Sequence, residues 1–314
     1  IARTGDNGLP LILGGDWNDG MNRVGIKGKG TSVWLGWFLA AALRDFLPYA
    51  EERGDAARKE RWASHLASLK TALETAGWDG AYYRRGTFDN GAPLGSTLSD
   101  ECQIDSLGQS WSVLSGMGDP ARSEQAMDAV MNQLVDSDEN IIRLFTPPFA
   151  ETRKDPGYIR AYPPGVRENG GQYTHAAIWV VLALAKLGRA EDAWRCFSML
   201  NPINHAVDKD AAEKYRVEPY VVAADVYGED YKAGRGGWTW YTGSAGWLYR
   251  TAIEGILGIA RTPDGIDVAP ALPEAWEGYS AEIAIDGRTH KIAVSRAGDK
   301  PVVTIDGAVV KADA

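Results

Sequence analysis

The sequence predicts a mainly α-helical protein, an α/α toroid with its loops gathered into a cleft at one end, followed by a small antiparallel β-region. Three observations carry this. Apolar residues recur at helical spacing in successive pairs of segments. Long stretches rich in Gly, Pro, Asp and Trp separate the pairs, at 77–102, 139–171 and 216–243. After Pro263 the pattern turns to β-branched and alternating residues. The order helix, helix, long loop brings the long loops to one end if the helix pairs are arranged in a ring. The domain division read from this is 1–262 and 263–314.

The elements follow in chain order. Val33, Trp34, Trp37, Phe38, Ala41 and Phe46 mark a helix over 32–47, with Ser32 as N-cap and Pro48 ending it. Trp62, Leu66, Leu69 and Leu73 line a second helix over 55–76, with Gly77 closing it. Segments 103–116 and 120–135 form a third and fourth helix. Segments 172–187 and 189–199 form the next pair, split at Gly188, and Asp208–Tyr215 is a short exposed helix. Ser244–Leu257 is the last helix, with Gly258 just past its end. In the β-region, Asp264-Gly265, Asp286-Gly287 and Asp306-Gly307 are hairpin turns between the strand-like runs 266–268, 281–285, 291–294 and 302–305.

Composition narrows the function. The chain has 314 residues, enough for one large core and a smaller one. Its 33 basic and 42 acidic residues give a net charge of −9, which argues against nucleic acid as a partner. No apolar run is long enough to span a bilayer, so no membrane contact is expected within this chain. Cys102 and Cys196 read as free buried thiols, and with no Asn-x-Ser/Thr acceptor this favours the cytoplasm. Several of the 12 Trp residues sit beside Gly, Asp, Glu or Asn, as sugar platforms do. The chain opens on Ile1 with a candidate catalytic loop almost at once, which reads as a piece of something longer, so the remainder of a parent polypeptide is an expected partner.

Three constellations could carry chemistry. The first is Gly14-Gly15-Asp16-Trp17-Asn18-Asp19-Gly20-Met21-Asn22. Glycines let such a loop turn tightly and expose its neighbours. A carboxylic acid against a large aromatic ring can be held protonated for leaving-group catalysis. An indole beside carboxylates also suits a sugar ring. Turn formation or helix capping by Asp16 and Asp19 is the alternative. The second is the run Tyr162 to His175, ending where an apolar helix starts. Helix-terminal N–H groups favour an anion, and Thr174 and His175 add donors; a satisfied structural histidine is the alternative. The third is Trp238 to Trp247, where Thr242, Gly243 and Ser244 open a helix as a phosphate cradle without a lysine. Simple N-capping by Thr242 or Ser244 is the alternative. Glu218 in Glu218-Pro219-Tyr220 is a weaker candidate. The acidic residues Asp100, Glu101 and Asp105 precede the helix with Gln109, and complementing its dipole would account for them. The four His and two Cys show no metal-ligand spacing, no dinucleotide or calcium-loop pattern is complete, and no resident cofactor is expected.

Taken together, residues 14–25, 28–39, 162–177, 218–227 and 236–247 resemble glycoside hydrolase family 94, the inverting disaccharide and oligosaccharide phosphorylases. The likeness is greatest to the phosphorylase-like region of cyclic β-1,2-glucan synthases, and it spans roughly residues 9–300. It implies an (α/α)6 barrel, here lacking its first helices. It implies that Asp19 is the general acid and that Trp17 lines the donor-sugar site. Asp16, Arg167, Glu168 and Tyr241 join it as candidate sugar contacts, Glu168 on the acceptor side. His175, Thr242, Gly243 and Ser244 are the candidate phosphate contacts. An upstream Arg-Asp pair and an N-terminal β-sandwich of the family have no match in this chain. Membrane anchoring of a parent protein is left open.

Inverting glycosyl transfer needs an acid on one face of the sugar and a nucleophile on the other. Inorganic phosphate, already anionic, requires a cradle of donors and no protein base. The expected reaction is phosphorolysis of a β-linked, β-1,2 glucan to α-glucose 1-phosphate, with phosphate as co-substrate. Two other readings remain: an inverting hydrolase using Glu168 or Glu218 as base, and a glucan-binding module without turnover.

Overall fold

The computed structural model describes residues 3–151, 153–228, 232–263, 265–285, 287–297 and 300–310. Among the described residues there are eight α-helices: α1 (Val33–Glu52), α2 (Ala56–Thr75), α3 (Ser106–Leu114), α4 (Pro120–Gln133), α5 (Thr174–Lys186), α6 (Ala190–Leu200), α7 (Lys209–Tyr215) and α8 (Thr242–Arg250). Helices α1 and α2, α3 and α4, and α5 and α6 pack as hairpin pairs. Laterally, α1 packs on α3, α3 on α5, and α5 on α8. The result is an inner row α1–α3–α5–α8 backed by α2, α4 and α6. Trp37, Leu69, Leu73, Ile104, Met127, Ile178 and Val181 fill the space between the rows. The inner helix α5 is buried along nearly its whole length, as its uninterrupted apolar sequence requires.

The long loops precede the inner helices, so the N-termini of α1, α3, α5 and α8 share one end. A two-residue strand sits directly before α1, α3 and α5: Thr31–Ser32, Ile104–Asp105 and Gln172–Tyr173. Each pairs with a distant loop, at Gly86–Thr87, Phe145–Thr146 and Asp225–Val226. These short ladders fasten the loops to the helix starts.

Most expected helices form, with differences that have local causes. Ser32 caps α1, accepting from Leu35 N at 3.0 Å, but Pro48 lies inside the helix instead of ending it. Pro48 is exposed, so the Arg44 carbonyl left without an N–H faces the wet side of the helix. The third helix starts at Ser106 and not at 103, because Ile104–Asp105 is drawn into a ladder and Asp105 becomes the N-cap. The last helix starts two residues early, at Thr242, and passes at Thr251–Ile256 into a π-helical turn. Gly188 and Gly258 take left-handed φ values of 75° and 69°, as expected at helix ends.

Beyond residue 258 lie a hairpin, Ile259–Thr262 with Gly265–Val268, and a four-stranded antiparallel sheet formed by Gly278–Ile285, Arg288–Ala297, Lys300–Ile305 and Ala308–Val310. Its own core contains Ile259, Leu272, Ile292, Val294 and Val303. Asp306 and Gly307 both take positive φ at the last turn, as expected; Asp264 and Asp286, read as turn residues, lie outside the described residues. Trp276 meets Trp194 of α6 edge to face at 4.8 Å between ring centroids, and the Tyr279 hydroxyl donates to the Leu257 carbonyl. Cys102 and Cys196 are free and buried.

Trp37 joins the two rows. It has no exposed surface and meets Tyr83 edge to face at 5.1 Å. Replacing it by Ala is expected to cost about 3–5 kcal/mol of unfolding free energy, measured by urea denaturation. A cost below about 1 kcal/mol would contradict this placement of the core.

Candidate active site

The loop 14–22 owes its shape to local side-chain bonds. Asp16 Oδ1 accepts from Asn18 N at 3.0 Å, and Asn18 Oδ1 accepts from Gly20 N at 3.1 Å. Asn18 thereby caps the 3₁₀ turn Asp19–Met21, and Asp19 is left exposed on its outer side. Asp16 does not reach outward. Its side chain has no exposed surface, and both oxygens are taken by the Arg85 guanidinium, at 2.5 and 2.7 Å, and one also by Ser32 Oγ at 2.6 Å. It is placed to hold the loop, not to meet a sugar.

Trp17 points across to the second constellation. Its ring lies 5.4 Å from Tyr173 and 5.7 Å from Trp179, and its Nε1–H donates to His175 Nδ1 at 3.4 Å. An indole N–H can only donate, so Nδ1 is the acceptor and the proton of a neutral His175 resides on Nε2. Burial pushes the His175 pKa down to about 4, which keeps the ring neutral at pH 7. Nε2 is buried and has no hydrogen-bond partner among the described residues, and the same is true of Thr174 Oγ1.

His175 lines a cavity of about 360 Å³ together with Tyr173, Ala224, Trp240, Tyr241, Thr242, Gly243 and Ser244. The N-termini of α5 and α8 both open here. Neither has a side-chain cap: the cap positions are Tyr173 and Tyr241. Ser244 does not cap α8; its hydroxyl donates backward to the Tyr241 carbonyl at 3.2 Å. The Thr174 N–H of α5 donates to the Ala224 carbonyl at 2.9 Å, and no side chain takes up the other first-turn N–H groups of the two helices. At Gly243 neither a positive φ nor a close neighbour demands glycine, and a Cβ there would enter open space.

The acid loop and the loop 162–171 face one another electrostatically. Tyr158 has its hydroxyl pKa raised, first by burial and then by the Asp19 carboxylate. Burial raises the Glu168 pKa; Arg167 counters this, and Asp225 and Asp19 add to it. Arg167 Nε lies 3.4 Å from Glu168 Oε2, and its guanidinium covers the Tyr162 ring at 5.1 Å. Trp240 and Tyr241, which line the cavity, are exposed, as is Trp238, whose ring lies 6.0 Å from that of Tyr241. Glu218 lies on the surface, outside this cavity lining. The structure thus brings Trp17, His175, Tyr241, Thr242, Gly243 and Ser244 together, with Asp19, Arg167 and Glu168 beside them.

Three buried residues that tie the loops together gave no role in the sequence: Asp225, Asn169 and Arg85. Asp225 is buried and accepts from Arg167 N at 3.3 Å and Trp238 N at 3.0 Å, tying the two loops; a Cβ on Gly237 would lie 2.5 Å from its oxygens. Buried Asn169 accepts from Phe149 N and donates to the carbonyls of Phe149 and Tyr162. Arg85 is the third. Asp105, read only as complementing a helix dipole, does cap α3 through Leu107 N at 2.8 Å, but also meets Arg85 Nε at 3.3 Å.

The helical scaffold thus carries an aspartate-bearing loop, an aromatic rim and a pocket at two helix starts. The comparison with family models then identifies the group: the chain belongs to the glycosyl hydrolase 94 superfamily, whose catalytic-domain model matches residues 1–258. It is 65% identical over 99% of its length to the cyclic beta-(1,2)-glucan synthase NdvB of Rhizobium meliloti (strain 1021), of which it covers 11%. It is 32% identical over 98% of its length to the solabiose phosphorylase of Paenibacillus borealis, covering 40% of that protein. It thus spans less than half the length of these relatives. The fold is also similar to that of a GH78 family rhamnosidase of Bacillus sp. GL1, with a TM-score of 0.54 at 18% identity over 92% of this chain and 26% of the other.

A prediction follows for acid stability. The folded His175 pKa is about 4, below its ordinary 6.5. The folded state therefore binds fewer protons than the unfolded state between these values. Stability from this group is fully present above pH 6.5 and is lost as pH falls toward 4. A His175→Asn variant is expected to lose less stability than the parent between pH 6.5 and 4, measured by urea denaturation across that range. An identical slope would contradict the buried neutral imidazole.

Proposed function

We propose that this chain is the phosphorylase region of a carbohydrate-active enzyme and that it carries out inverting phosphorolysis of a β-linked glucan, β-1,2 being the linkage expected. The helical part is read as a portion of an (α/α)6 toroid, with 263–314 as a separate β-domain; the double row of helices supports that reading. The observation that carries the function is the shared cavity at two uncapped helix N-termini, joined to the acid loop through Trp17 and His175.

In this reading Asp19 gives its proton to the glycosidic oxygen as the bond from that oxygen to C1 breaks. An oxygen of inorganic phosphate forms the new bond to C1 from the opposite face, so a β-linkage gives α-glucose 1-phosphate. The Asp19 carboxylate then regains a proton from water. The phosphate oxygens are received by His175 Nε2–H, the Thr242 hydroxyl and the free N–H groups at Gly243 and Ser244. The sugar units lie along Trp17, Tyr241, Arg167 and Glu168. Phosphate is a co-substrate, and no resident cofactor has a step to perform. No helix among the described residues is long and apolar enough to cross a membrane.

One observation favours a second reading. Glu168 senses the Asp19 charge, so two carboxylates share the site, as inverting hydrolysis requires. The two readings differ in product. The full-length gene product, given β-1,2-glucan and inorganic phosphate, is expected to form α-glucose 1-phosphate. Free glucose alone would mean hydrolysis, and no product would mean a binding module. Asp19→Asn is expected to lower turnover about 10²–10⁴-fold, and unchanged turnover would overturn its assignment as the acid.

A further inference from the structure

Arg85 stands outside every sequence motif and touches no cavity of the candidate site, yet it is a fully buried guanidinium at the meeting point of three elements. Its fork binds both oxygens of Asp16, Nη2 to Oδ1 at 2.5 Å and Nη1 to Oδ2 at 2.7 Å. Nη1 also donates to Ser32 Oγ at 3.2 Å, and Nε faces Asp105 Oδ2 at 3.3 Å. Ser32 and Asp105 are the N-caps of α1 and α3. The Arg85 backbone is fastened too: its N–H donates to the Leu94 carbonyl, and its carbonyl accepts from Val33 N, the first residue of α1.

We propose that Arg85 is a positioning residue for the acid loop, holding Asp19 at its working place through Asp16 and Asn18. This rests on the reading of Asp19 as general acid. The linkage is continuous. Arg85 fixes the Asp16 carboxylate; Asp16 Oδ1 receives Asn18 N; Asn18 caps the turn that begins at Asp19. The bidentate geometry specifies orientation, which a point charge does not. The two carboxylates that Arg85 engages come from the loop and from α3, so the loop is referenced to the helix row that also carries the cavity. A shift of the acid by as little as about 1 Å is costly to catalysis.

A purely structural ion cluster would behave differently from a positioning one, and the leaving group tells them apart. A glycosidic oxygen needs a proton to depart; fluoride does not. The full-length gene product and its Arg85→Lys variant are to be compared with inorganic phosphate and either β-1,2-glucan or β-glucosyl fluoride, after circular dichroism has shown the variant folded. The expected result is a fall in kcat on glucan of at least about 10²-fold, with the fluoride rate falling less than about tenfold. Equal losses on both donors, or no loss on glucan, would overturn the proposal. Asp16→Asn, nearly isosteric, carries the same expectation and serves if Arg85→Lys does not fold. If the unaltered protein transfers neither donor to phosphate, the phosphorylase reading itself fails, and this inference with it.

Discussion

The weak bond from the Trp17 indole to His175 joins parts of the chain 158 residues apart, and much of the site depends on it. It links the acid loop to the start of α5. Because the indole nitrogen can only donate, it also fixes the histidine as the Nε2–H tautomer. Burial keeps that ring neutral. A neutral imidazole is usually a weaker anion ligand than a charged one, but here it adds a donor to two helix termini without adding a buried charge that would itself need a partner.

The four inner helices divide the work at their common end. Helices α1 and α3 are closed by Ser32 and Asp105, and these caps belong to the same buried cluster as Asp16 and Arg85. In that half the Asp16 carboxylate is held by Arg85 and Ser32, and Arg85 also pairs with Asp105. Helices α5 and α8 have no side-chain caps, and apart from the Thr174 N–H, which donates to the Ala224 carbonyl, their first turns meet the cavity without one. One half fixes the acid loop; the other leaves donors free.

The helices were legible because their signals are local. The caps formed by Ser32 and Asp208 and the left-handed turn at Gly188 involve residues only a few positions away. The reactive motifs were legible because each is contiguous and chemically unusual. What escaped depends on pairing over long separations. Arg85 stands in an unremarkable Tyr-Tyr-Arg-Arg run, and only the fold brings it to Asp16, 69 residues away. Asp16 looked like a sugar contact for the same reason: its motif shows it beside Trp17 but not which way the chain turns. Asp225 lies within the 218–227 block, but its role stayed hidden because its partners are backbone N–H groups, of Trp238 in its own loop and of Arg167 in a distant one. Pro48 was misread as a terminator because whether a helix tolerates proline depends on which side faces water.

The chain has four histidines, so each can be followed individually by nitrogen NMR. The most direct test of the account is the state of His175 at pH 7 before and after addition of inorganic phosphate to the full-length gene product. The account requires a neutral ring protonated on Nε2, whose Nε2 resonance moves and saturates as phosphate is added. A ring protonated on Nδ1, or one indifferent to phosphate at every concentration, would contradict it.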